Sequence, residues 1–337
     1  MQERGNVMVF IEHRDGIPAE VSLELMSQAR ELAHTLGVGV EAAVLGSGQG
    51  YEKESLGRYG CGRVFVVDHP GLKEFTSVPY AKALTQVIRN HEPQIVLFGA
   101  TTTGRDVAPR VASELQCGLT ADCTDLQIGE HKVKGQVYEN VLLQIRPAFG
   151  GNIVATIVSP ESRPSMATVR EGVMPKREMD SWQPPQVVHE DVQFSEADFP
   201  TQVLDVERKE KGVDLKKAKI IVSAGMGASD PQSLELVYET ARVLGGVVGA
   251  SRPVVDAGIV PKEHQVGQTG TTVRPNLYIA CGISGQIQHR AGMMEAKRII
   301  AINSDPQAPI FDIAHYGIVG DVKQVLQQMI KSYKDKA

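Results

Sequence analysis

At 337 residues the chain is long enough for about two domains at a prior of roughly 150 residues each, each with its own core. Its net charge of −5, with Lys and Arg scattered, excludes the basic stripe that a nucleic-acid partner would need. No apolar run approaches the ~18 residues of a membrane span, and MQERGNVMVF carries neither a signal-peptide core nor an Arg-rich leader, so a cytoplasmic protein is expected.

In chain order, Val7–Ile11 reads as a strand and is followed by a helix with Val21, Leu25, Ala29, Leu32 and Leu36 along one face. Strands are expected at Val40–Leu45, Arg63–Val67 and Gln94–Phe98, and helices at Glu52–Tyr59, Tyr80–Asn90 and Arg105–Leu115. Such alternation predicts a parallel sheet covered by helices on both faces. From Leu119 to Val169 the pattern turns β-rich, with runs at Leu126–Ile128, Gln136–Tyr138, Val141–Ile145, Ile153–Val158 and Met166–Val169. These predict antiparallel or mixed strands at the sheet edge. Pro175–Gln202, rich in Pro, Asp, Glu and Gln, is expected to wrap the surface.

The charged run ERKEKGVDLKKAK (Glu207–Lys219) reads as a linker. The expected division is therefore a domain over 1–206, a linker over 207–218 and a second domain over 219–337. The second α/β unit has strands at Ile220–Val222, Gly246–Gly249, Leu277–Cys281, Arg298–Asn303 and Gly317–Val319, and a helix over Pro231–Leu244. Its last helix carries Val322, Val325, Leu326, Met329 and Ile330 on one face, with Asp321 as N-cap.

The four cysteines (Cys61, Cys117, Cys123, Cys281) lack the spacing of a zinc site or an iron–sulfur cluster, so reduced thiols and no metal are expected. GSGQG (Gly46–Gly50) follows a strand, but the third glycine of a dinucleotide fingerprint would fall at Tyr51, which favours a plain βα turn. In FGATTTGRD (Phe98–Asp106) the threonines read either as helix caps or as a ligand loop at a strand's carboxyl end.

The last 115 residues hold four strand-end segments that together suggest a ligand site. VSAGMGASD (Val222–Asp230) offers glycines for close backbone approach. GASRPVVDAG (Gly249–Gly258) places Ser251 and Arg252 just past a strand, where a guanidinium can meet an anion or an electron-rich ring. QVGQTGTT (Gln265–Thr272) is a loop of amide and hydroxyl donors. In LYIACGISGQIQHRAG (Leu277–Gly292) a strand ends at Cys281, and Ser284 is expected to cap a helix running through Gln288. The free N–H groups at Ser284–Gln286 would then suit one pyrophosphate. Singly, each feature has a plainer reading: Ser284 and Asp321 as caps, Asn303 as a turn residue, His289 as a satisfied surface histidine, Arg252 as a surface ion pair. No nucleophile–base set or paired carboxylates suggest catalysis.

SRPVVDAG, QVGQTG, YIACGISGQIQH, INSDPQAPIF and YGIVGD, in this order, resemble the FAD domain of electron-transfer flavoprotein alpha subunits, while GRDVAPRVA, GLTADCTDL, RPAFGGN and SRPSMATVREGVM resemble the family's N-terminal domain. The resemblance spans essentially the whole chain. It implies an α/β protein with an N-terminal parallel-sheet domain, Rossmann-like and akin to adenine-nucleotide hydrolases, and a C-terminal Rossmann-like FAD-binding domain. It also implies that Ser251 and Arg252 flank the flavin, with Arg252 favouring the reduced, anionic form. Val266, Gly267, Gln268 and Thr269 would line its N5/C4 side. Ser284, Gly285, Gln286, Ile287, Gln288 and His289 would hold the pyrophosphate and ribityl chain, with His289 near the pyrimidine carbonyl, and Asn303 and Asp321 would bind the AMP half.

No catalytic residue follows from the resemblance: the reaction is electron transfer. The implied partners are a beta subunit, forming a heterodimer, and a flavin dehydrogenase such as acyl-CoA dehydrogenase. One departure stands out, because Met226 occupies a position where many relatives carry arginine. RPAFGGN and GLTADC resemble the bacterial and archaeal branch that includes bifurcating complexes. In that branch the beta subunit's own FAD takes a hydride from NADH and ferredoxin is reduced. Arg146 and Phe149 would then either approach that second flavin or merely end a core strand. A simple single-FAD carrier remains the alternative, and a stand-alone nucleotide-binding enzyme is the alternative from another class.

Overall fold

In a computed structural model, which describes residues 5–48, 53–133, 135–148, 154–207 and 212–335, Val7–Ile11 (β1) is buried at every position. Val7, Val9 and Ile11 enter one core and Met8 and Phe10 another, as period-two alternation in a doubly covered strand requires. The chain divides into two units, Met1–Val206 and Glu207–Ala337.

The first unit continues with α1 (Glu20–Leu36), β2 (Val40–Gly46), β3 (Arg63–Asp68), α2 (Ser77–His91), β4 (Ile95–Gly99), α3 (Thr102–Leu115) and β5 (Leu119–Cys123). Then follow β6 (Asp125–Val133), β7 (Gln136–Pro147), β8 (Val154–Ile157), β9 (Ser165–Val169) and β10 (Gln186–His189). Seven strands form one sheet in the order β10-β3-β2-β1-β4-β9-β5, with every neighbouring pair parallel.

Two expectations need correction here. The β-rich stretch does not form a mixed edge: β6, β7 and β8 build a separate antiparallel sheet, while β9 inserts between β4 and β5 in the parallel sheet. Within the stretch expected only to wrap the surface, Gln186–His189 pairs in parallel with Arg63–Val66 and closes the opposite edge. Its composition hid it, because QVVH has just two apolar residues and its register comes from the strand beside it.

Connections from β1 run to β2 on one side, and the chain later returns to β4 on the other. Ligands in such sheets gather where that reversal opens a crevice at the strands' carboxyl ends. Here a carboxyl group of the chain itself occupies that position. Glu12 follows β1, and its Oε2 accepts a hydrogen bond of 2.7 Å from the Thr101 hydroxyl. Thr101 in turn caps α3, accepting from the Gly104 N–H at 2.9 Å. Glu12 Oε1 is buried without a hydrogen bond. Burial pushes its pKa up to about 7, with Glu171 adding to the rise and Thr101 opposing it. The threonine loop is thus a cap. At GSGQG, Gly48 N–H donates to Asp68 at 2.9 Å, and Gly50 and Tyr51 lie outside the described residues.

In the second unit, β11 (Ile220–Ala224), α4 (Pro231–Val243), β12 (Val247–Ala250), α5 (Arg252–Asp256), β13 (Leu277–Cys281), α6 (Ile287–Arg290), β14 (Ile299–Asn303), β15 (Tyr316–Val319) and α7 (Val322–Lys334) follow in order. The sheet is β12-β11-β13-β14-β15, parallel throughout. Its reversal point lies between β11 and β13. Leu215, inside the run read as a linker, is buried in this unit's core with Val213 and Ala218 packed near it; residues 208–211 are outside the described part. No helix among the described residues is long and apolar enough to cross a membrane.

Candidate functional site

The carboxyl ends of β11 and β13 meet almost backbone to backbone. Gly225 N–H donates to the Cys281 carbonyl at 2.8 Å and Gly227 N–H to the Gly282 carbonyl at 3.0 Å. Gly282 has φ +63°, and a Cβ there would stand 2.5 Å from the Gly227 carbonyl carbon. Only glycine fits both the left-handed backbone and the space.

From this point a chain of main-chain bonds runs through nearly every loop singled out in the sequence. Ser251 N–H donates to Ala224 (2.9 Å), and Val266 N–H to Ala250 (2.9 Å). Gln268 N–H reaches the Gln288 carbonyl (2.8 Å), which docks the Gln265–Thr272 loop on α6, and Ile310 N–H reaches the Ser284 carbonyl (3.0 Å). Asn303 Nδ2 donates to the Ile283 carbonyl at 2.9 Å while its Oδ1 accepts from Asp305 N–H. Gly320 N–H donates to Asn303, and Asp321 caps α7 by accepting from Gln324 N–H at 3.1 Å. Ser251, Arg252, Val266–Thr269, Ser284–His289, Asn303 and Asp321 therefore share one rim, at the carboxyl edge of one sheet.

The expected helix at Ser284 is not there. Gly285 turns at φ +90°, and α6 is a single turn that starts at Ile287 with Gln286 as its N-cap. The anion-binding feature is instead the bend before it. Among the described residues, the N–H groups of Ser284, Gly285, Gln286, Ile287 and Gln288 find no protein acceptor. Successive free N–H groups around a left-handed residue form a nest, a concavity of partial positive charge that suits phosphate oxygens.

Arg252 is 64% exposed and, among the described residues, pairs only with Asp256, one helical turn on, at 3.1 Å. Its guanidinium is free to turn toward a ligand. Met226, 52% exposed, opens a short turn and presents an uncharged thioether to solvent. Gln268 and Thr269 are exposed, and Thr269 Oγ1 accepts from Gln265 Nε2 at 3.1 Å. His289 is buried rather than at the surface. Its Nε2 hydrogen-bonds the Tyr278 hydroxyl at 3.0 Å, and burial pushes its pKa down to about 4, so the ring is neutral through the physiological range. Tyr278 and Ser223 lie beneath the rim on mid-strand positions, where nothing in the sequence marks them as site residues.

In the first unit, Arg146 sits on β7 opposite Ala155 and lends positive potential to Asp122. Asp122 holds Arg170 at 2.6 Å and Arg105 at 3.3 Å. The Arg170 hydrogen bond, with these charges behind it, keeps the Asp122 carboxyl below its usual range. Phe149 lies outside the described residues.

Residues 7–194 match the family model of the electron transfer flavoprotein domain, and residues 214–294 that of the electron transfer flavoprotein FAD-binding domain. The second match spans the rim from Ser251 through His289 and stops short of Asn303 and Asp321. The chain is 46% identical to an electron transfer flavoprotein subunit alpha from Thermoanaerobacterium thermosaccharolyticum, covering 99% of both chains. It is 44% identical to an acryloyl-CoA reductase electron transfer subunit beta from Anaerotignum propionicum, over 98% of this chain and 96% of that one. Against the lactate dehydrogenase (NAD(+),ferredoxin) subunit LctC of Acetobacterium woodii, identity is 41% over 96% of this chain and 76% of the relative.

Proposed function

The chain belongs to the electron-transfer flavoprotein alpha-subunit family and binds FAD, and from that premise we propose that it pairs with a beta subunit and passes electrons between its flavin and a flavin dehydrogenase. The observation that supports this most is the nest at Ser284–Gln288, which shares one sheet edge with Arg252 and the Val266–Thr269 loop. FAD supplies the electron-carrying chemistry. The chain's residues set where the cofactor lies and what charge it meets.

In this reading the nest holds the pyrophosphate, and the ribityl chain lies along Ser284–His289. Ser251 and Arg252 flank the isoalloxazine, Val266–Thr269 line its N5/C4 side, and Asn303 and Asp321 receive the AMP half beyond β14 and β15. Asn303 and Asp321 are already committed to a turn and a cap, which fixes their positions and leaves spare acceptor capacity for hydroxyls. Residues 1–206 serve as the base that meets the beta subunit, and the flavin domain extends from 219–337 back to Val213 and Leu215, which pack in its core.

A second reading adds NADH and ferredoxin through the beta subunit. The relative whose name couples a lactate dehydrogenase to NAD(+) and ferredoxin favours it, and Arg146 would then face the partner's flavin. A dehydrogenase of the acyl-CoA class is the corresponding acceptor or donor suggested by the acryloyl-CoA reductase relative.

Arg252→Ala tests the flavin side. The residue is exposed and, among the described residues, pairs only within its own helix, so loss of the pair changes stability by less than about 0.5 kcal/mol. Removing a unit charge about 4 Å from a reduced flavin costs its anionic form between about 1 kcal/mol, as in bulk water, and about 4 kcal/mol, as near a protein surface. The flavin potential should therefore fall by about 20–90 mV for a two-electron couple. A redox titration of the purified complex reads this directly, and an unchanged potential would remove Arg252 from the site. Repeating the titration with NADH separates the two readings: two flavins of distinct potential, one reduced by NADH, support bifurcation, and one NADH-insensitive flavin supports the simple carrier.

A further inference from the structure

Gln265 opens the loop that carries Val266–Thr269, and its backbone is tied down at the sheet. It bridges to Ala250 at the end of β12. The next N–H, of Val266, donates to the Ala250 carbonyl at 2.9 Å, and the Gln265 carbonyl accepts from Thr271 N–H at 2.7 Å. Gly270 leaves room for the glutamine to fold back under the loop: a Cβ there would collide with the Gln265 carbonyl oxygen and stand 2.9 Å from its Cγ.

The Gln265 side chain is thus buried, 5% exposed, while Thr269 stands exposed above it. Gln265 Nε2 donates to Thr269 Oγ1 at 3.1 Å. Among the described residues this is the one side-chain hydrogen bond that either group makes. A hydroxyl has two lone pairs and a single proton. The amide takes a lone pair from the protein side, and the proton, which finds no acceptor within the described protein, is left for whatever lies on the rim. An acceptor in place of the amide would draw the same proton inward and present a lone pair instead. Gln265 therefore decides the polarity with which Thr269 meets a ligand, and the bond also selects one rotamer of a β-branched side chain that has few.

We propose that Gln265 is a positioning residue that makes Thr269 a hydrogen-bond donor toward the N5/C4 edge of the flavin. This rests on the reading of Val266–Thr269 as the loop along that edge. The oxidised ring offers only acceptors there, N5 and the C4 carbonyl, so a donor is the polarity that fits. Gln265 never touches the cofactor in this scheme; it acts through the Thr269 hydroxyl.

The test uses the native complex loaded with FAD enriched in nitrogen-15 at N5 and carbon-13 at C4, because both resonances respond to hydrogen bonding. Thr269→Val, at an exposed position, should move one of them toward its unbonded value. Gln265→Glu keeps the shape and, at alkaline pH where the introduced carboxyl is ionised, can only accept, so it should reproduce that shift with Thr269 still present. Gln265→Met, uncharged and of similar length, frees the hydroxyl to rotate and should give an intermediate value. Wild-type resonances in both Gln265 variants overturn the proposal.

FAD affinity supplies the second readout. Gln265→Glu should weaken binding about fivefold more in the otherwise wild-type chain than in one that also carries Thr269→Val, the equivalent of one net hydrogen bond of about 1 kcal/mol. The added charge is common to both and cancels. Equal losses in the two backgrounds would leave Gln265 a purely structural part of the loop and overturn its positioning role. A failure of the flavin reading shows separately, as an Arg252→Ala complex whose potential is unchanged. A lowered potential in that complex, with wild-type resonances in Thr269→Val, would sink this proposal alone.

Discussion

Gly282→Ala should cost the C-terminal unit about 2–5 kcal/mol and empty its flavin site. Two costs combine. An L-residue in the left-handed region loses roughly 1–2 kcal/mol, and Gly282 sits at φ +63°. The added methyl would also stand 2.5 Å from the Gly227 carbonyl carbon, 2.7 Å from the Gly227 Cα and 2.8 Å from Ala228 N. These are backbone atoms and cannot rotate away, and overpacking of this kind costs about 1–3 kcal/mol. Relief requires β11 and β13 to part at their carboxyl ends, which is where the rim closes. Gly258 makes the control: its φ is +70°, yet a Cβ there meets nothing within 4 Å. Gly258→Ala should keep its flavin and lose only the conformational part. Flavin content and thermal unfolding of the two variants compare the effects, and equal flavin content in both would show that the close approach at Gly282 does not shape the site.

Glu12→Gln should change how the first unit's stability responds to pH. The folded-state pKa of Glu12 is raised from 4.5 to about 7, so the folded unit prefers the protonated carboxyl. Its contribution is fully present below pH 4.5 and is lost as pH rises through about 7. A rise of that size corresponds to about 3 kcal/mol. Glutamine keeps the acceptor for the Thr101 hydroxyl and cannot ionise. The variant should therefore be the more stable protein at pH 8, by about 1–3 kcal/mol, with the difference falling below about 1 kcal/mol at pH 5. Glu24 is also raised by burial and gives a slope of the same sign, so the substitution flattens the pH dependence without abolishing it. Urea unfolding of the first unit at pH 5 and pH 8 measures both limbs. Identical shifts at the two pH values would mean that Glu12 is ionised throughout.

How much of this was legible in the sequence follows from how local each signal is. β1, β2 and β3 declare themselves because runs such as VMVFI must be buried on both faces. The α7 start was equally readable, since Asp321 caps it through a bond that needs only neighbouring residues. Ser284 misled for a related reason: serine before a polar–apolar alternation looks like a cap, but Gly285 takes a left-handed turn and Ile310 draws the Ser284 carbonyl away, delaying the helix to Ile287. β10 depends on a partner strand more than a hundred residues earlier, so its four residues carry too little pattern of their own.

Some features of the two units could not be read at all. Glu12 is one acidic residue after a strand until the sheet order puts it at the reversal point beside Thr101. Tyr278 is an ordinary mid-strand aromatic until the fold brings His289 over it. The rim's loops, by contrast, were found because their glycines, amides and hydroxyls recur at strand ends. Motifs locate the surface of a site; the buried groups that hold it come from tertiary contacts.

The central claim is that the flavin lies on the carboxyl edge of the second sheet. It is tested most directly by photolabelling the native complex with FAD bearing an azido group on its benzenoid ring, followed by peptide mapping of this chain. Label is expected within the second unit, on the stretch Ser251–Thr269 whose two ends flank the isoalloxazine. Label confined to residues 5–206, or found on the partner alone, would contradict it.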